Sequence, residues 1–144
     1  MPSDPPTEQE IAAAREYVAE QMAVVETKVP IAEAKTFVGC AGTFTTLSAL
    51  AQGLEKYEAE AIHGSVVRFD ALRVLLDHLT AQSSATRALN PVIHPGRADV
   101  IGGGATAVHG IMQLIERNTS QTEFVISEKD ILDGIIAGLA EDAK

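Results

Sequence analysis

The chain has 144 residues, 46% hydrophobic and only 4% aromatic with no Trp, so it can bury one core built from Ala, Val, Ile and Leu. Eleven basic against twenty acidic residues leave a net charge of −9. That balance gives no general footprint for nucleic acid or an anionic membrane, and any phosphate ligand would need a local site. A lone Cys40 cannot form an internal disulfide, Ser3, Asp4, Pro5, Pro6 and Glu8 stand where an export signal needs a basic and then an apolar run, and no stretch reaches the ~18 apolar residues of a membrane span. The expected location is the cytoplasm.

Pro5 and Pro6 precede Thr7-Glu8-Gln9-Glu10, where a Thr cap and a Glu three residues on can satisfy each other's amides. Ile11, Ala14, Val18, Met22 and Val25 then recur at helical spacing, which predicts an amphipathic helix to about Thr27, before Pro30. Lys35 to Cys40 reads as a short apolar strand. A turn holding Gly39 and Gly42 feeds the next helix, which carries Phe44, Leu47, Leu50 and Ala51. The 53–69 stretch is irregular, with short extended pieces expected around Ala59 to Ile62 and Ser65 to Phe69. Asp70 is placed to cap a third helix with the stripe Leu72, Leu75, Leu76 and Leu79, ending before Gln82.

Asn90 to Gly96 holds two prolines and a glycine and reads as a loop. Asp99 then stands before the helical stripe Ile101, Ala105, Val108, Met112 and Ile115. Gly102, Gly103 and Gly104 sit in its first turn, where each costs about 1 kcal/mol relative to Ala, so a close backbone approach or a ligand should justify them. Thr122 to Ile126 reads as a second strand. Ser127, with Asp130 three residues on, is placed to start a last helix through Leu132, Ile135, Ile136 and Leu139, whose Gly134 and Gly138 suggest tight packing in a core. Two clear strands are few for such a domain. Either further strands lie in the middle or the chain packs against sheet that is absent. The expectation is a single α/β domain over 1–144, helix-rich, with a small and incomplete sheet.

The chemistry concentrates at Gly39, Gly42 and Thr43. A helix start has amides without intrahelical acceptors and partial positive charge, which favours phosphate, and glycines let the backbone turn and approach a ligand. A purely structural strand-to-helix turn uses the same residues. No Walker lysine follows, so this is not a P-loop. His63, His78, His94 and His109 lack zinc-motif spacing, no nucleophile elbow surrounds Ser65, and no catalytic or metal-binding residue is assigned. Arg97 can meet phosphate or pair with Asp99, which can equally cap the helix behind it.

Taken together, Val38-Gly39-Cys40-Ala41-Gly42-Thr43, then His63-Gly64, then Arg97-Ala98-Asp99-Val100-Ile101 resemble the second half of the exopolyphosphatase/guanosine pentaphosphate phosphatase family. The opening Asp4-Pro5-Pro6-Thr7 and the closing Ser127-Glu128 with Ile131-Leu132-Asp133-Gly134 are similar too, so the likeness runs the length of the chain. The resemblance implies the second, C-terminal lobe of a two-lobe ribonuclease-H-like (actin-like ATPase) fold. It further implies a phosphate cleft between the lobes and release of terminal phosphate from polyphosphate or guanosine pentaphosphate. In that scheme Mg²⁺ bridges phosphate oxygens and a carboxylate activates water. Gly39, Gly42 and Thr43 match the turn facing phosphate or nucleotide, and Arg97 and Asp99 match as cleft or structural residues. Ala41 stands where family members often carry Ser, which removes a hydroxyl contact. The family's first-lobe phosphate loop, catalytic glutamate and acidic-glycine second loop should precede Asp4. The partner implied is therefore a missing N-terminal lobe, and the chain alone should be inactive. The other readings are a noncatalytic nucleotide-sensing or protein-interaction lobe of the same fold, and an independent α/β domain with structural glycines. A homodimer through exposed small-residue faces is also open.

Overall fold

The computed structural model describes residues 1–142. Its sheet has three strands, β1 (Val38–Cys40), β2 (Val66–Arg68) and β3 (Glu123–Ser127), in the order β1-β3-β2. β1 runs parallel to β3, with Gly39 opposite Ile126, and β2 runs antiparallel, with Val67 opposite Phe124. Side chains alternate, so Gly39, Val67, Phe124 and Ile126 face the core and Val38, Cys40 and Val66 face away. β2 lies within the extended piece expected from Ser65 to Phe69 and is the additional strand of the sheet.

Helices α2 (Ala41–Ala51), α4 (Phe69–Ala81) and α6 (Ile101–Asn118) build the core over the inner face of this sheet. The apolar spacing dictates which faces go in: Leu72, Leu76 and Leu79 of α4 and Ile101, Ala105, Val108, Met112 and Ile115 of α6 are all buried. Phe124 is gripped between two rings, Phe69 at 4.8 Å and Phe44 edge-on at 5.0 Å between centroids. Outside this layer α1 (Glu8–Glu26) lies along α6. Its stripe Ile11, Ala14, Val18, Met22 and Val25 is half-buried, and Gly110 of α6 leaves Val18 the room a Cβ would take. The expected capping box starts α1: Glu10 N–H donates to Thr7 Oγ1 at 3.2 Å and Thr7 N–H to Glu10 Oε2 at 2.7 Å. Arg15–Asp77 at 2.5 Å and Arg117–Glu26 at 2.8 Å tie the helix to α4 and α6.

Several local expectations need correction. Ala59–Ile62 is one turn of helix, α3; three apolar residues and Glu60 are too few to carry a periodicity that separates helix from strand. The cap of α4 is Arg68, while Asp70 lies inside the first turn, accepting Ala71 N–H at 2.8 Å and pairing with Arg68. Ser83 Oγ accepts Thr86 N–H at 3.1 Å and starts an unanticipated short helix, α5 (Ser84–Arg87). The last helix, α7 (Ile131–Asp142), begins at Asp130, whose carboxylate takes Leu132 N–H at 3.0 Å, while Ser127 makes a local turn with Lys129. The expected tight packing at Gly134 and Gly138 is not found: beyond the adjoining residues and backbone of α7 itself, no described atom lies within 4 Å of either Cβ position. Ile131 is 76% and Ile136 68% exposed, so α7 presents an apolar surface to solvent. β1 and β2 likewise have outer edges without a strand partner among the described residues.

Candidate functional site

β1 passes into α2 without an intervening turn: Cys40 is extended, and Ala41 bends the chain with φ of 63°. The left-handed residue is thus Ala41 rather than either neighbouring glycine, although an L-side chain adopts it at some cost. Gly39 is buried, and a Cβ there would lie 2.6 Å from Cγ of Phe44, so its missing side chain makes room for a core ring. Cys40 and Ala41 are exposed, Gly42 and Thr43 half-buried, and the bend therefore opens to solvent. Cys40 is the cap of α2 and makes no side-chain capping bond. Thr43 is the third residue of α2, within its first turn.

Two of the sequence motifs meet at this bend. Arg97, from the 3₁₀ turn Pro95–Arg97, lays its guanidinium over Gly42. Its Cζ is 2.5 Å from where a Cβ would be, and its Nη1 donates to the Gly42 carbonyl at 3.4 Å. The turn is held by His94, whose Nδ1 accepts Gly96 N–H at 3.1 Å and whose carbonyl accepts Arg97 N–H at 2.8 Å. Thr43 packs on Gly104 in the first turn of α6, with Oγ1 2.7 Å from the missing Cβ position. This close approach accounts for one glycine of the triplet. Val100, not Asp99, is the cap of α6, and no side chain caps it. The starts of α2 and α6 therefore lie side by side, both without side-chain caps, and Arg97 sits beside the first.

Cavities flank the junction. One of about 410 Å³ is lined by Thr46, Tyr57, His94 and Arg97. Tyr57 OH donates to Glu128 at 2.5 Å, and burial together with this carboxylate pushes the phenol above its ordinary range. The other, about 480 Å³, lies at the start of α6 and is lined by Asp4, Ser84, Arg87, Asp99, Gly103 and Gly104. Arg87 is only 5% exposed. Ser84 donates its N–H to Asp4 at 2.7 Å and its hydroxyl to the same carboxylate; these bonds, with Arg87 nearby, hold Asp4 below the usual carboxylate range.

The structure thus brings Gly42, Thr43 and Arg97 together, leaves Asp99 at the rim of the second cavity, and places Gly39 in the core. Sequence reasoning missed Tyr57 and Arg87. Neither lies in a periodic pattern, and only the unusual burial of a guanidinium singles out Arg87. His63, between α3 and β2, accepts Glu128 N–H through Nδ1 at 3.2 Å, a structural bond. Among the described residues no three His, Cys, Asp or Glu side chains converge as a metal site would need.

The Ppx/GppA phosphatase family profile matches residues 1–141. Exopolyphosphatase 2 of Mycobacterium tuberculosis is 45% identical over 138 residues, 96% of this chain and 43% of that protein. The chain therefore spans less than half the length of the curated relatives it matches. An exopolyphosphatase-like protein of known structure superposes with a TM-score of 0.92 at 31% identity over 99% of this chain and 46% of its own. A Ppx/GppA family member from Aquifex aeolicus superposes at 0.85 and 22% identity over 100% of this chain and 44% of its own. The helix-rich α/β fold with its small sheet is thus the one the resemblance implied, and the chain belongs to the Ppx/GppA phosphatase family.

Proposed function

We propose that this chain is the C-terminal lobe of a phosphoanhydride hydrolase that releases terminal phosphate from inorganic polyphosphate or guanosine pentaphosphate in the cytoplasm. The observation that carries the reading is the meeting of two helix starts without side-chain caps, Thr43 of α2 against Gly104 of α6, with Arg97 over Gly42. Unsatisfied amides and a fork-shaped cation at one solvent-open point suit a phosphate oxygen. The local Arg97 offers what the −9 net charge denies to the surface at large. In this reading Gly42 and Thr43 form the cleft wall, while Gly39 supports it by admitting Phe44.

The share of its relatives' length that the chain spans supports the view that it works with a further lobe. The free edge of β1 and the bare apolar face of α7 are surfaces such a lobe would cover. Mg²⁺, expected from the resemblance, finds no convergent donor set among the described residues, and no step here depends on it. The water-activating carboxylate belongs to the other lobe in this proposal, so the chain alone binds without turning over.

Titration of the chain with inorganic tripolyphosphate, followed through the amide resonances of Ala41 to Phe44, tests the reading. Saturable shifts there are expected, weakened about tenfold or more in Arg97→Ala, the loss of one charge-assisted contact. Unmoved resonances at saturating tripolyphosphate would overturn it.

A further inference from the structure

We infer that the cavity at the start of α6 is a second oxyanion site, in which the Arg87 guanidinium and the first amides of α6 hold a tetrahedral phosphate-like group. The site does not use Gly42 or Arg97, and it shares only the uncapped start of α6 with the function proposed above.

Arg87 is a misplaced charge. Arg87 is 95% removed from solvent, and burying a cation is costly unless it is paired and hydrogen-bonded. Its guanidinium is only partly served. Nη2 donates to the Gln82 carbonyl at 2.9 Å and Nε to the Ser83 carbonyl at 3.3 Å, while Nη1 has no partner. Nη1 lies against the first turn of α6, 2.6 Å from the position of a Cβ on Gly102. That is the positive end of an 18-residue helix, so cation and helix dipole oppose each other. An anion in the adjoining cavity, which both Arg87 and the start of α6 line, would offset the conflict.

The helix end is equally unserved. The first intrahelical bond runs from Gly104 N–H to the Val100 carbonyl at 3.1 Å, leaving the preceding amides free, and no side chain caps them. Gly102 admits the guanidinium, and Gly103 opens on empty space. The acidic groups nearby do not complete the pairing. Asp4 is 3.9 Å from Nη2, its side chain is 47% exposed, and its oxygens are engaged by Ser84. Asp99 is exposed at the rim. These carboxylates weaken the site by like-charge repulsion.

Inorganic phosphate is the probe, added at constant ionic strength to the 144-residue chain. Saturable shifts of the Gly102 and Gly103 amides and of the Arg87 guanidinium protons are expected, together with a rise in Tm. Asp4→Asn should tighten binding roughly threefold, the effect of removing one nearby charge in a water-like medium. Gly103→Asp projects a carboxylate into the cavity from a position with no neighbour, where an acidic residue at a helix start favours folding. That variant should melt above the wild type without phosphate and gain at least tenfold less from it. Because general salting effects act on both proteins, only the difference counts. The inference falls if phosphate leaves Gly102 and Gly103 unmoved, or if Gly103→Asp responds to phosphate as the wild type does. Arg97→Ala should leave these shifts intact. Their disappearance in that variant would assign the anion to the Gly42 site alone and also overturn the inference.

Discussion

Replacing Gly39 by alanine probes the joint on which the candidate site rests. A Cβ at this position would lie 2.6 Å from Cγ and 2.9 Å from Cε1 of Phe44, well inside contact distance, and the ring is itself set edge-on to Phe124 at 5.0 Å. The ring cannot swing away without giving up that contact, so the substitution overpacks the sheet–α2 interface, an effect of about 1–3 kcal/mol. Alanine recovers about 0.5–1 kcal/mol because it is less flexible than glycine in the unfolded chain. With three ring carbons in the way the upper part of the range applies, and the net loss should be about 2 kcal/mol. In a urea titration with a slope of about 1.5 kcal/mol/M this lowers the midpoint by more than about 1 M. Phe44→Leu removes the clash, so the double variant Gly39→Ala/Phe44→Leu should lose at least about 0.5 kcal/mol less than the two single losses added. A Gly39→Ala midpoint within error of the wild type, or strict additivity in the double variant, would refute the view that Gly39 exists to admit this ring.

Two further outcomes follow from the same region and from α6. Ala41 holds φ of 63°, so Ala41→Gly should stabilise the fold by about 0.5–1 kcal/mol in the same urea assay, relief of left-handed strain outweighing the added chain entropy. His109, half-buried on α6, is held below the ordinary imidazole value of 6.5, mainly by burial and then by Arg15, with Arg73 adding to it and Asp77 and Glu116 opposing. The unfolded chain therefore binds the proton more readily. The stability this group contributes is complete above about pH 6.5 and drains away as pH falls through the depressed folded value. Tm measured between pH 7.5 and 5.5 should fall less in His109→Gln than in the wild type, and equal slopes would remove His109 from the account. The carboxylates of Asp4, Glu10, Glu26 and Asp70, all held low by hydrogen bonds, act only in more acid solution.

The elements legible from sequence were those whose burial leaves a periodic trace. The five-residue stripe of α6 and the leucines of α4 are inward because a helix with one apolar face has one stable way to pack. The capping box at Thr7 and Glu10 is a local device and needs no tertiary context. Where the outcome depends on distant partners, the trace fails. Ala59 to Ile62 is too short to show a period, and α7 looks like a core helix in sequence yet meets no core among the described residues. The candidate site divides in the same way. Gly42, Thr43 and Arg97 carry motif spacing and do come together. The burial of Gly39 depends on one aromatic ring, and that of Arg87 on how α5 and α6 pack, which no linear pattern announces.

Cys40 is the chain's single thiol, it is exposed, and it is the last residue before α2. A maleimide dye would therefore attach at one known point, beside the backbone amides proposed to receive phosphate. Its emission would report occupancy of the bend directly, with no engineered cysteine and no background labelling.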